Sequence, residues 1–120
     1  MTKDYRLVVD DMLESIAIIG SYVADVDERT FSQDQLLQDA VIRRLGIIGE
    51  AARKLPSDIQ SLVSSVPWKS VIGFRNIVIH DYANVSLGQV WDIVIHDLPT
   101  LKIMIEELRQ KLPEIKPPKQ

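Results

Sequence analysis

The segment Pro67-Trp68-Lys69-Ser70-Val71-Ile72-Gly73-Phe74-Arg75-Asn76-Ile77-Val78-Ile79-His80-Asp81 is apolar nearly all the way round a helical wheel. Val71, Ile72, Phe74, Ile77, Val78 and Ile79 leave little polar face, so the spacing predicts a helix over residues 67–81 at the centre of its domain. Pro67 suits the first helical position, where its φ is already helical and its missing N–H is one the helix would leave unpaired. An all-helical protein built around this segment is the expectation.

The flanking sequence agrees. Leu36, Leu37, Ala40, Val41, Leu45, Ile48, Ala51, Ala52 and Leu55 recur at spacings of three and four until Pro56 stops the pattern. Ser32, with Gln35 three residues on, predicts a capping box at its start. Gly46, Gly49, Ala51 and Ala52 leave one stretch of this helix thin, which lets a neighbouring helix come close. Ser57-Asp58 predicts a cap for a short helix through Ile59, Leu62 and Val63. Further upstream, Leu7, Val8, Met12, Ile16, Ile19, Tyr22, Val23 and Val26 predict a helix over about residues 3–27, closed by the acidic turn Asp25-Val26-Asp27-Glu28-Arg29.

On the C-terminal side, Asn84-Val85-Ser86 forms a turn and Ser86 with Gln89 repeats the capping box. Leu87, Val90, Trp91, Val94, Leu98, Leu101, Ile105 and Leu108 then mark the last helix. Pro99 lies inside it, removes one backbone hydrogen bond and crowds the carbonyl of Ile95, which predicts a kink. The tail Pro113-Glu114-Ile115-Lys116-Pro117-Pro118-Lys119-Gln120 is too proline-rich and polar to fold further. The expected architecture is an all-α, antiparallel four- to five-helix bundle over residues 1–112 with a proline-rich tail over residues 113–120. No strand pattern or internal repeat competes with it.

Composition narrows the function classes. The 120 residues, 46% apolar and 26% charged, suffice for one domain. A chain of this size buries roughly two thirds of its unfolded surface, so a core forms without disulfides or a structural metal. The absence of cysteine excludes a disulfide framework and any thiolate zinc site. The longest apolar run near the start, Ile16-Ala17-Ile18-Ile19, stops at Gly20 and Ser21, too short for a membrane span. Met1-Thr2-Lys3-Asp4-Tyr5-Arg6 is charged and runs straight into a helical pattern, unlike a secretory signal, so a cytoplasmic location is expected.

The net charge of −3 argues against a nucleic-acid partner until it is resolved by position. Residues 1–42 carry nine acids against three bases, whereas residues 43–82 carry six bases against three acids. The remaining residues balance. A basic segment therefore sits inside an acidic protein, and it contains the central helix.

Three strongly polar side chains interrupt that helix. At about 100° per residue, Asn76 and His80 share a face with Lys69 and Gly73, while Arg75 points about 140° away from His80. Taken singly, each has an ordinary structural role: a histidine near a helix C-terminus complements the dipole, and an arginine among apolar residues takes an ion-pair partner, here Glu50 or Asp81. Together they offer more. Arginine can stabilise a charged phosphorane and histidine can move a proton, the two requirements for metal-free cleavage of RNA through its own 2′-hydroxyl.

The pattern Arg75-Asn76-x-x-x-His80-x-Tyr82 resembles the R-x4-H-x-Y signature of HEPN-domain toxins of the HepT type. The resemblance continues through Ile48-Gly49-Glu50-Ala51-Ala52, Pro67-Trp68, Ile72-Gly73-Phe74-Arg75-Asn76, Val90-Trp91-x-Ile93-Val94 and Asp97-Leu98-Pro99, covering about residues 40–100. It implies an all-helical homodimer acting as a metal-independent endoribonuclease on RNA, transfer RNA among the candidates. It also implies a type VII toxin–antitoxin pair whose antitoxin is an MNT-type minimal nucleotidyltransferase, with a higher heteromeric complex among the candidate assemblies. By the same resemblance Arg75 stabilises charge on the scissile phosphate, His80 is the general base or acid, and Asn76 supports them. Tyr82 matches the tyrosine that the antitoxin modifies with AMP from ATP. The ribonuclease itself then needs no cofactor, and ATP and magnesium serve the antitoxin.

Two further points follow from the residues. Divergence of Arg75 and His80 around one helix suggests that a two-fold axis near it brings both motifs into one cleft. Asp81 beside His80 favours the protonated imidazole. His96-Asp97 matches no motif and reads as structural or surface, and Trp68 and Trp91 read as core or interface aromatics. A second function class stays open: a non-catalytic helical module that docks on a nucleotidyltransferase and presents substrate or nucleotide to it.

Overall fold

The computed structural model describes residues 4–79 and 86–112, and among these every regular element is helical. Helix α1 spans Tyr5–Tyr22, α2 Glu28–Gln33, α3 Gln35–Arg53, α4 Ser57–Gln60 with a 3-10 turn over Ser61–Val63, α5 Trp68–Ile79, α6 Leu87–Asp92 and α7 Leu98–Lys111. A π-helical segment, Ile93–Asp97, joins α6 to α7. No helix among the described residues is long and apolar enough to cross a membrane.

Helix α3 is the hub, packing most extensively on α5 and next on α1. Its Val41, Leu45, Ile48 and Ala52 are fully enclosed, as are Val9, Met12 and Ile19 of α1 and Ile105 and Leu108 of α7. Helices α1 and α7 run antiparallel: Arg109 Nε lies 2.7 Å from Asp10 Oδ1 at one end, while Ile16, Ile19 and Gly20 share a cavity wall with Val94, Leu98 and Lys102 at the other. Buried Phe31 of α2 meets Trp91 of α6 with ring centroids 5.1 Å apart, which places that tryptophan in the core.

Three local expectations change and a fourth gains its form. First, α1 stops at Tyr22, not near residue 27: Val23 is its C-cap (φ −101°, ψ 4°), and Asp25 two residues on takes a left-handed conformation (φ 60°) that an aspartate tolerates. Val23 and Val26 still pack against the core, which is why the apolar period ran on through them. Second, Ser32 caps nothing. It lies inside α2 with its hydroxyl donating to the Arg29 carbonyl at 2.8 Å, and Asp34 caps α3 by accepting from the Leu37 N–H at 3.0 Å. Third, α4 follows Pro56 without a side-chain cap from Ser57 or Asp58. Fourth, the chain passes Pro99 through the π segment: the Leu98 N–H reaches back five residues to the Ile93 carbonyl, a widened turn directly before the proline. The second capping box is present as expected, with the Gln89 N–H on Ser86 Oγ at 3.1 Å and the Ser86 N–H on Gln89 Oε1 at 3.4 Å.

Candidate active site

Helix α5 is held at its start by Trp68, whose indole N–H lies 3.0 Å from the Gln60 carbonyl and 3.2 Å from that of Val63. Val71, Phe74 and Ile77 then point into the core. The helix is less enclosed than its apolar sequence implies. Lys69, Ser70 and Asn76 are exposed and Ile72, Gly73 and Arg75 are half-buried, so an open face remains beside the buried one.

The thin stretch of α3 does what its small residues suggested. A Cβ on Gly49 would stand 2.6 Å from the Arg75 backbone nitrogen and 3.0 Å from the carbonyl oxygens of both Ile72 and Val71. Only glycine fits there, and its absent side chain lets the backbone carrying Arg75 rest directly on α3. The next residue, Glu50, meets the Arg75 side chain, with Nε 2.8 Å from Oε2. Of the two partners that sequence offered, Glu50 is observed in contact and Asp81 lies outside the described residues.

Glu50 is shared. Arg53, one turn on, places Nη2 2.5 Å from Oε1 and Nε 3.4 Å from Oε2. The Arg53 hydrogen bond, with the nearby charges of Arg53 and Arg75, holds the Glu50 carboxyl below its usual range, and the same carboxylate raises the already high value of Arg53. The side chains of Arg75, Glu50 and Arg53 are 41%, 36% and 51% exposed, so the row of two guanidinium groups bridged by one carboxylate faces solvent. Among the described residues Glu50 is the only ion-pair partner of Arg75. Arg53 was not singled out from sequence, although Glu50-x-x-Arg53 on one helix face was the available signal.

Of the four expected site residues, the structure describes Arg75 and Asn76, which are adjacent on α5. His80 and Tyr82, with Asp81, lie outside the described residues. His96 is exposed, consistent with a surface role. With Asp97, Ser70, Phe74 and Thr100 it lines a cavity of about 290 Å³ between α5 and the π segment. Among the described residues no group of three histidine, aspartate or glutamate side chains is gathered as a metal site.

Comparison with known proteins gives these positions a context. The family described as "Ribonuclease HepT-like" matches residues 12–108, which include α3, α5 and the whole Arg75–Tyr82 segment. A Thermococcus cleftensis protein named "Probable ribonuclease HepT" is 34% identical over 110 residues, 92% of this chain and the full length of that protein. A Methanocaldococcus jannaschii protein with a provisional RNase name is 36% identical over 104 residues, covering 87% of this chain and 95% of the relative. A second protein from that organism, named as a gamma-glutamylcyclotransferase and provisional RNase, is 40% identical over 112 residues. That match covers 93% of this chain and about half (50%) of the relative. No solved structure matches.

Proposed function

This chain belongs to the HepT-like ribonuclease family, and from that membership and the setting of Arg75 we propose that it is a metal-independent endoribonuclease, the toxin of a type VII HEPN/MNT pair. The observation that carries the reading is Arg75 itself: a half-exposed guanidinium, seated by Gly49 and paired through Nε, five residues before the matching histidine in sequence. A guanidinium fixed in this way stabilises the extra negative charge of a pentacoordinate phosphorane. His80 accepts the proton of the 2′-hydroxyl as that oxygen attacks phosphorus. The bond to the 5′-oxygen breaks as a proton is returned to it, leaving a 2′,3′-cyclic phosphate and a free 5′-hydroxyl. Asn76, exposed beside Arg75, supports the phosphate. Neither step calls on a metal.

In the same reading the protein acts as a homodimer and an MNT-type nucleotidyltransferase silences it by moving AMP from ATP to Tyr82, with magnesium used by that partner. Tyr82 is two residues beyond His80, so AMP there adds bulk and negative charge where an RNA phosphate must sit. The experiment is RNA cleavage in EDTA by the wild type, Arg75→Ala and His80→Ala, with mass spectrometry of Tyr82 after coexpression with the transferase. The wild type cleaves, both variants are inactive though folded, and Tyr82 gains adenylate that abolishes cleavage. Full cleavage by both variants sinks the mechanism; AMP on Tyr82 without cleavage by the unmodified form favours the adaptor reading.

A further inference from the structure

One turn of α3 grips Arg75 at both ends. Gly49 seats its backbone and Glu50, the next residue, engages its guanidinium, while Arg53 bonds most closely to the other carboxylate oxygen. Building on the ribonuclease reading above, we propose that Glu50 is a positioning residue for RNA cleavage, holding Arg75 in the orientation that meets the scissile phosphate.

Three features support this. The Arg75 contact is made through Nε, which leaves both terminal nitrogens to form the forked, two-point contact that guanidinium makes with phosphate. The Glu50 carboxylate is held from two sides, so its own rotamer is fixed by Arg53 while it fixes Arg75. The pair is also half exposed, and exposed ion pairs add little to stability. What such a pair supplies is orientation. A cation that is already aligned loses no freedom when the transition state forms, whereas a small misplacement lowers the rate by up to about a hundredfold.

The consequence separates Glu50 from a structural residue. Without its carboxylate Arg75 still attracts RNA as a charge, and one negative group near the phosphate path is gone. Glu50→Gln should therefore bind RNA at least as tightly as the wild type and turn it over about ten- to a hundredfold more slowly. A residue that merely supports the fold would lower the melting temperature instead.

The test measures kcat and KM on labelled total transfer RNA for the wild type, Glu50→Gln and Arg53→Gln, with thermal melts of each. The expected result is a lower kcat for Glu50→Gln with KM unchanged or reduced and a melt lowered by no more than the small amount an exposed ion pair contributes, and a smaller kcat loss for Arg53→Gln, which leaves the Glu50–Arg75 contact in place. Cleavage by the wild type with an unaltered kcat in Glu50→Gln overturns the proposal and leaves the ribonuclease reading standing. No cleavage by the wild type overturns both. Nitrogen-15 NMR of the arginine Nε–H groups, assigned with Arg75→Lys, provides a readout independent of the variant's activity. The Arg75 Nε resonance should shift in Glu50→Gln while that of exposed Arg29 stays in place, and an unmoved Arg75 resonance overturns the proposal.

Discussion

Glu50 gives the residue scale a measurable charge. Its folded-state carboxyl lies below the ordinary value of 4.5, first because of the Arg53 hydrogen bond and then because of the Arg53 and Arg75 charges. A depressed carboxylate contributes stability that is present above the unfolded value and disappears as pH falls through the folded one. Asp4, hydrogen-bonded by Arg6, and Asp27, capped onto the Thr30 N–H, act in the same direction. Acidification below the ordinary value of 4.5 should therefore lower the melting temperature of the wild type, and the fall should be shallower in Glu50→Gln. Superimposable pH profiles of the two melts would count against an ionised Glu50 bridging the arginines. Sequence foresaw that Arg75 would take an acidic partner. It did not single out Glu50, because helical phase places a residue on its own helix and is silent about which turn of another helix faces it.

The α3–α5 crossing decides where those residues meet, and it depends on one missing methyl group. In an open helical position glycine-to-alanine gains roughly 0.5–1 kcal/mol through lower backbone entropy. Gly20 of α1 is such a position, with nothing within 4 Å of an added Cβ. At Gly49 the same methyl would press on the backbone of α5, whose atoms cannot swing aside as a side chain can. Gly20→Ala should thus stabilise the fold slightly, and Gly49→Ala should destabilise it by about 1–3 kcal/mol, the usual cost of overpacking. Denaturant unfolding of the two variants checks both signs. Gly49→Ala should also weaken RNA cleavage, since it moves the backbone of Arg75. Close approach here was legible from small residues at helical spacing. The Asp34 cap was not, because Ser32 with Gln35 matches the capping-box spacing equally well and only the fold shows that Ser32 is already inside α2. Pro99 likewise announced a disturbance without its form. The crowding before Pro99 is met here by a widened turn, the kind of site at which helices kink.

At the scale of the whole molecule, the acidic first 42 residues and the basic middle segment divide the charge, and the open face of α5 carries Lys69, Ser70 and Asn76 to solvent. The apolar sequence of α5 suggested a central helix beside a two-fold axis; among the described residues the structure leaves one face of it open, a face that a second copy can cover. On an ideal helix the spacing of Arg75 and His80 corresponds to about 140°, the expectation that suggests a shared cleft. If a two-fold axis beside α5 joins them, each cleft takes Arg75 from one subunit and His80 from the other. That arrangement has a sharp consequence. Arg75→Ala and His80→Ala are each inactive alone, yet a mixed dimer retains one cleft with both side chains and a second with neither. Co-refolding equal amounts should therefore restore cleavage to about a quarter of the wild-type rate, because half the dimers are mixed and each has one working cleft. Recovery that rises with the fraction of mixed dimers supports the shared cleft. No recovery, with mixed dimers demonstrated by mass spectrometry, places Arg75 and His80 of the same subunit in one site and removes the angular argument for a composite one.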